Sequence, residues 1–131
     1  MKLILSVLIT VFVFSGCQNH QSSSYELTSV GALLEDQAAT RLLQAERYED
    51  ALNIYVDMLE REPNKPQIHS NVGVILKKKK KEEEALKSWQ HALKLAEEKK
   101  DFAALFAVNF NLGVYYGSKK NVDEALKYYQ A

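Results

Sequence analysis

The sequence has little of three things that mark common protein classes: cysteine, an excess of charge of one sign, and long apolar runs. Cys17 is its single cysteine, so no intramolecular disulfide can form. Its 17 basic residues balance 17 acidic ones, which gives no support to a nucleic-acid partner, since such a partner usually requires a basic surface. The apolar run at residues 3–14 has 12 residues, whereas a membrane-spanning helix needs about 20.

Motifs of catalysis and metal binding are also missing. We find no nucleophile signature, glycine-rich phosphate loop or paired-carboxylate arrangement. His69 and His91 are 22 residues apart and His20 is distant from both, whereas metal sites with histidine normally bring several ligands at short spacings. The sequence therefore predicts a protein that is not an enzyme and that holds neither a metal ion nor a cofactor.

The first sixteen residues differ in kind from the remainder. Lys2 precedes the apolar run, and Ser15 and Gly16 precede Cys17, which predicts a secretory signal peptide over residues 1–16. The tetrapeptide FSGC resembles the bacterial lipobox, in which diacylglyceryl is transferred to the cysteine thiol before cleavage. The resemblance implies that the mature chain begins at a lipidated Cys17; the alternative is an ordinary signal peptide followed by an incidental cysteine. Two or three acyl chains, at about 0.8 kcal/mol per buried methylene, anchor a protein stably.

Residues 18–29 are polar and short of apolar side chains. We interpret residues 17–29 as the lipidated cysteine followed by a disordered tether. Gln18, in place of aspartate, resembles the signal for sorting to the outer membrane in Gram-negative lipoproteins. The expected location is therefore the bacterial envelope, at the periplasmic face of the outer membrane in a Gram-negative cell. In a Gram-positive cell it is the outer face of the plasma membrane.

From residue 30 to residue 131 the pattern is helical, and it repeats. Residues 71–93 combine an apolar run, a charged turn and a second amphipathic run, which predicts a helical hairpin. The hairpin recurs 40 residues downstream and 34 residues upstream. The matching positions are Gly73, Leu76, Ala85, Leu86 and Trp89; Gly113, Tyr116, Ala125, Leu126 and Tyr129; and Ala39, Leu42, Ala51, Leu52 and Tyr55. Periods of this size are typical of a helical solenoid.

The repeated residue types have a mechanical reason. Small side chains in both helices of each hairpin allow close approach. They are Ala39, Gly73 and Gly113 in the first helices and Ala51, Ala85 and Ala125 in the second. One turn after each alanine, an aromatic ring can wedge between neighbouring helices. These rings are Tyr55, Trp89 and Tyr129.

In these residues the chain resembles a tetratricopeptide repeat protein. The resemblance implies an all-α, right-handed superhelix of about three hairpins, with repeats near residues 32–65, 66–105 and 106–131, the last incomplete. The second repeat departs from the family in having Glu82 where an aromatic residue is usual, and it lacks a proline equivalent to Pro63. The 40-residue step predicts longer helices near residues 94–106.

Tetratricopeptide arrays bind a peptide or helix of a partner protein on a concave face. Mapped onto this chain, that face predicts binding by Ser70, Asn71, Val74, Phe110, Asn111 and Val114. Phe110 and Val114 are expected to hold an apolar anchor, while Asn71 and Asn111 bond the partner's backbone. The alternative is that Phe110 packs against a missing capping helix. The resulting hypothesis is a membrane-anchored adaptor that supports an envelope assembly such as a pilus secretin.

Two alternatives concern the ends and the charges of the array. The short third repeat suggests completion by another chain, and a purely structural, self-associating lipoprotein is the alternative to a peptide-binding adaptor. The lysine run at residues 77–81 can contact anionic lipid or nucleic acid. The acidic run at residues 82–84 offsets it, and a solvated turn is the simpler interpretation.

Overall fold

The computed structural model describes residues 28–131, and all regular secondary structure in this part of the chain is α-helical. Six helices occur there. They are α1 (residues 28–44), α2 (Tyr48–Arg61), α3 (Pro66–Lys78), α4 (Glu82–Lys99), α5 (Phe102–Ser118) and α6 (Val122–Gln130). The expected all-α class is confirmed for these residues.

The described residues begin inside the region assigned to the tether. Residues 28 and 29, at the end of the predicted tether, are helical and belong to α1. The predicted signal peptide, Cys17 and the tether as far as residue 27 lie outside the described residues. Residues 36–131 form one compact unit, and the described residues 28–35 belong to another. None of the helices within residues 28–131 is long and apolar enough to cross a membrane.

The connections after α1, α3 and α5 share one geometry. Each contains a non-glycine residue in the left-handed region, with φ of 60°, 62° and 60° at Glu46, Lys80 and Lys120. In each, a backbone N–H bonds the carbonyl five residues earlier and the preceding N–H bonds a carbonyl three residues earlier, which is the Schellman arrangement. The bonds that span five residues run from the N–H of Arg47 to the carbonyl of Leu42, from Lys81 to Leu76 and from Asn121 to Tyr116. Within the hairpins these turns recur at the same 34- and 40-residue steps as the sequence. The same turn, with φ of 54° at Lys100, also connects α4 to α5.

Helix starts follow local chemistry. Pro66 occupies the first turn of α3, where its missing N–H needs no partner. Asp101 and Asn121 cap α5 and α6, because their side chains accept from the backbone N–H groups of Ala104 and Glu124 at 3.0 and 3.2 Å. The first turn of α4 is acidic at residues 82–84, which favours the positive end of the helix dipole.

The longer step between the second and third hairpins comes from longer helices. Helix α4 has 18 residues against 14 in α2, and α5 has 17 against 13 in α3. The connection shortens from residues 62–65 to residues 100–101. Each helix thus gains about one turn, which keeps the same face inward. The longer helices predicted near residues 94–106 are confirmed.

Each described hairpin packs on the next. Helix α4 packs against α3, α5 packs against both α3 and α4, and α6 packs against α5. The main core cluster lies between the second and third hairpins. It contains Leu76, Ala85, Trp89, Ala92, Val108, Leu112 and Tyr115. At about 1.5–3 kcal/mol for each large apolar side chain fully buried, this cluster is the main attachment of α5.

The small residues of the repeat pattern admit aromatic rings. A Cβ atom on Gly73 would lie 2.5 Å from Nε1 of Trp89, and one on Gly113 would overlap the ring of Tyr129. The close approach at these glycines is therefore between a helix backbone and a side chain, where we expected it between two backbones. The four alanines of the pattern are all buried. They are Ala39, Ala51, Ala85 and Ala125.

Candidate interaction surface

The six residues predicted to bind a partner lie on two neighbouring helices. Ser70, Asn71 and Val74 belong to α3, and Phe110, Asn111 and Val114 belong to α5. The helices contact each other directly, and Nδ2 of Asn111 donates to Oγ of Ser70 at 3.1 Å. The structure brings these residues together, but it divides them between the core, a row at the junction of the two helices and a separate apolar face.

Ser70 belongs to the core. Only 3% of the Ser70 surface is exposed to solvent. Its carbonyl oxygen accepts from Nε1 of Trp89 at 3.1 Å, and its hydroxyl accepts from Asn111. Ser70 is therefore covered by α5, and its two oxygens bond within the fold; its contact with a partner stays a prediction.

Asn71 links the first hairpin to the second. Its Nδ2 donates to Oδ1 of Asp36 and to the hydroxyl of Tyr55, each at 3.0 Å. The Tyr55 hydroxyl in turn donates to Asp36 at 2.8 Å. Burial first, and then this bond to Asp36, raises the pKa of Tyr55 well above its usual value. Both amide hydrogens of Asn71 are used within the fold, so donation to a partner requires breaking one of these bonds.

The two asparagine contacts are equivalent by the repeat. Asn71 and Asn111 are 40 residues apart, and their acceptors Asp36 and Ser70 are 34 apart. In each case a first helix bonds back to the first helix before it. Sequence reasoning assigned these amides to a partner and missed their structural role, although their recurrence at the repeat step was visible.

Val74 and Val114 are the apolar members of the surface between α3 and α5. Val74 is half-buried and packs against the core cluster. Val114 is 37% exposed. With Asn71 and Asn111 they form the inter-hairpin row, in which fixed amides alternate with partly open valines. This row and Phe110 are the parts of the predicted binding face that remain accessible.

Phe110 belongs to a different surface. It is 53% exposed, and its ring centroid lies 6.3 Å from that of Tyr129 on α6. Phe102 and Phe106 on the same helix are 78% and 77% exposed. Sequence reasoning missed both, although their spacing with Phe110 follows the four-residue period of a helix face. Helix α5 carries no charged side chain.

The lysine run is partly paired. Lys79 bonds Glu49 of the first hairpin, Lys119 of the third hairpin bonds Glu82, and Lys81 lies 3.2 Å from Glu84. The bond to Glu82 raises the pKa of Lys119. These exposed pairs contribute little each. The first pair joins the turn after α3 to the start of α2, and the second pair joins the turn after α5 to the start of α4.

Other polar clusters were searched for chemistry. The rings of His69 and His91 lie 4.5 Å apart, edge to face, and Nε2 of His69 lies 2.7 Å from the carbonyl oxygen of Pro63. Within residues 28–131, no group of three or more histidine, cysteine or carboxylate side chains is placed to hold a metal ion. A shallow polar cleft of about 400 Å³ lies between the connections at residues 62–67 and 99–101. Gln67 donates to Asp101 there, and the Asp101 pKa lies below its usual value, first because it accepts from the Ala104 N–H.

No family model matches the chain. No curated protein matches it by sequence.

Proposed function

We propose that residues 30–131 form a solenoid of the tetratricopeptide type, made of three hairpins that wind in a right-handed superhelix. Two recurring features support this assignment. The left-handed turn recurs at Glu46, Lys80 and Lys120. A glycine under an aromatic ring recurs at Gly73 and Gly113. Each hairpin then contacts only its neighbours, as solenoid repeats do.

In this proposal the protein is an adaptor that binds a segment of a partner protein along the inter-hairpin row. The observation that carries the proposal is the pair of equivalent valines, Val74 and Val114, which remain partly open while Asn71 and Asn111 are fixed by hydrogen bonds. Such a row suits an apolar side chain of a helical or extended segment. Because the side-chain amides of Asn71 and Asn111 are already fixed, they lose little conformational entropy when a partner binds, which favours affinity.

The membrane anchor is the second part of the proposal. Cys17 carries lipid, and the domain acts in the bacterial envelope, where it supports assembly of a complex such as a pilus secretin. Metabolic labelling with a palmitate analogue tests the anchor. We expect incorporation in the wild type and none in Cys17→Ser. An unlabelled wild-type chain contradicts the anchor.

Site-specific photo-cross-linking tests the binding row. We expect a photoreactive residue at Val114 to capture one partner in cells, and the same residue at the exposed position Gln90 of α4 to capture none. Val114→Asp should weaken that capture by about tenfold or more, which corresponds to about 1.4 kcal/mol. Helicity should be unchanged, because Val114 is partly exposed. Equal capture at both positions, or capture that survives Val114→Asp, contradicts the row as the binding site.

A further inference from the structure

An apolar surface covers the last hairpin on the side that no described helix occupies. It comprises Phe106 and Phe110 of α5 with Leu126 and Tyr129 of α6, and we call it the end face. Their exposed fractions are 77%, 53%, 49% and 51%. The contact between the Phe110 and Tyr129 rings joins the two helices. Phe102 and Val122, 78% and 63% exposed, extend the end face along α5 and α6.

The second hairpin shows what this surface is built to receive. The equivalent residues there are Pro66, Ser70, Leu86 and Trp89. Pro66 and Trp89 are almost fully buried, Ser70 is 3% exposed and Leu86 is partly buried. Helix α5 packs against both α3 and α4 and thereby covers them. The end face of the third hairpin is therefore equivalent to the surface of the second hairpin that α5 covers. Within residues 36–131, no helix covers the end face.

The chemistry of the end face selects its occupant. Helix α5 brings Asn111, which donates to the hydroxyl of Ser70. Phe110 stands at the position of Ser70 and offers no acceptor. A covering helix with an asparagine at the position of Asn111 would leave that side-chain amide without a hydrogen-bond acceptor on the end face, which costs about 1–3 kcal/mol when the amide is buried. The occupant must instead be apolar at this point.

We propose that the end face binds the end face of a second copy of this chain across a two-fold axis. A two-fold contact places the same patch on both sides, and here that patch is apolar and uncharged on α5. Aromatic side chains bury about 150–250 Å² each. The exposed fractions of the six residues then amount to roughly 700 Å² per copy, close to the approximately 800 Å² per partner of a stable interface.

Charges at the edge of α6 agree with an antiparallel contact. Asp123 and Lys127 are both exposed and lie one turn apart beside the stripe formed by Val122, Leu126 and Tyr129. Antiparallel packing of two α6 helices centred at the level of residue 125, next to Leu126, brings Asp123 of each copy opposite Lys127 of the other; within its own helix Lys127 lies 3.7 Å from Glu124. Two opposite-charge pairs then flank the apolar contact, which fixes its register.

Disulfide trapping in cells that produce the full chain tests the proposal. Leu126→Cys places a thiol near the two-fold axis, so mild oxidation should yield a covalent dimer of twice the chain mass. Gln90→Cys, an exposed position on α4, and the wild type with Cys17 alone should yield none. A head-to-tail contact does not bring two residues 126 together, so the homodimer band reports the two-fold arrangement specifically.

A second substitution in the Leu126→Cys chain separates the interface from the fold. Phe106→Ser should lower the dimer yield by about tenfold or more, since exposed aromatic anchors dominate such interfaces. Val56→Ser, which changes an apolar residue on α2 that is 46% exposed, should leave the yield unchanged. Circular dichroism should show the same helicity for both variants. The proposal is overturned if only monomer forms, if residue 126 cross-links to a different protein, or if Phe106→Ser and Val56→Ser behave alike.

Discussion

The second and third hairpins use the same positions in different surroundings. Trp89 and Tyr129 each lie over a glycine of the preceding helix. However, Trp89 is 1% exposed and Tyr129 is 51% exposed. The local geometry is the same, and the difference is that α5 covers only the second hairpin. The comparison teaches that in a repeated structure the energetic weight of a position depends on its neighbouring repeat more than on its own.

The contacts of the three aromatic rings also differ between the covered hairpins and the last one. Tyr55 donates to Asp36 and Trp89 donates to the Ser70 carbonyl, whereas Tyr129 lies against the Phe110 ring. The acceptor position thus changes from Asp36 to Ser70 to Phe110 along the chain. In the first two hairpins the ring thus donates a hydrogen bond to the first helix, part-buried at Tyr55 and buried at Trp89, whereas the third hairpin presents an apolar surface.

The largest expected difference is between truncations of the two rings. Trp89→Ala should lower the free energy of unfolding by about 3–5 kcal/mol, as for other buried aromatic residues. Tyr129→Ala should lower it by only about 1 kcal/mol, because half of its surface is already in water. Urea unfolding at dilute concentration, followed by circular dichroism, measures both. Equal losses would show that the two hairpins are equally covered.

Substitution of the glycines beneath the rings should also destabilise the second hairpin more than the third. In Gly73→Ala the new Cβ lies 2.5 Å from Nε1 of Trp89, which is buried and hydrogen-bonded and has no room to move, so we expect a loss of about 1–3 kcal/mol. In Gly113→Ala the exposed Tyr129 ring can turn away. The better helix propensity of alanine, up to about 1 kcal/mol, then offsets the remaining strain. Paired urea midpoints test this, and a larger loss for Gly113→Ala would reverse the comparison.

The caps of the third hairpin should also be unequal. Asp101 caps α5 and accepts from Gln67 of α3, whereas Asn121 only caps α6. Cap removal costs about 0.5–2 kcal/mol. We expect Asp101→Ala near the upper value and Asn121→Ala near the lower in thermal unfolding. The double change Gln67→Ala with Asp101→Ala, compared with both single changes, isolates the bridge, and additive losses would show that Gln67 and Asp101 are not coupled.

The left-handed turns offer a smaller gain. Lys80 and Lys120 have φ of 62° and 60°, where glycine avoids a cost of about 1–2 kcal/mol. Part of that gain is lost through the greater freedom of glycine in the unfolded chain. Lys80→Gly and Lys120→Gly should each raise stability by up to about 1 kcal/mol. The gain from Lys80→Gly should appear in global unfolding, and the gain from Lys120→Gly in local protection of α6. A loss at either position would mean that the turn is not left-handed in solution.

The smallest expected effect is a pH dependence confined to the second hairpin. Burial, and then the nearness of His69, lowers the pKa of His91 below its usual 6.5, with Lys94 acting in the same direction and Glu98 against it. The unfolded chain then binds the proton more readily than the folded one. The stability contribution is complete above about pH 6.5 and is lost as pH falls through the lowered value. His91→Gln should flatten this slope in urea unfolding between pH 7.5 and 5, and an unchanged slope contradicts the assignment.

The positions of the helices and turns were predictable because small and aromatic residues recur at fixed steps, and these residues pack wherever the two helices of a hairpin meet. The left-handed backbone conformation of the turns was not predictable, since lysine and glutamate carry no signal for positive φ. The burial of Ser70 and the bond from Asn71 to Asp36 depend on how successive hairpins pack, which a single repeat does not reveal. The end face was hidden because α5 is apolar on all sides, and such a helix has no polar face to mark its exposed side.

Hydrogen exchange at two protein concentrations tests most directly the claim that the end face is open in the single chain and covered by a second copy. In dilute solution, amides of α6 should exchange much faster than those of α3 and α4, which open only with global unfolding. At high concentration, protection in α6 and along Phe106 and Phe110 of α5 should rise, and protection in α3 and α4 should rise with it, because global unfolding of a copy then also requires dissociation of the dimer. If α6 is as protected as α4 at every concentration, or if its protection does not depend on concentration, the account is contradicted.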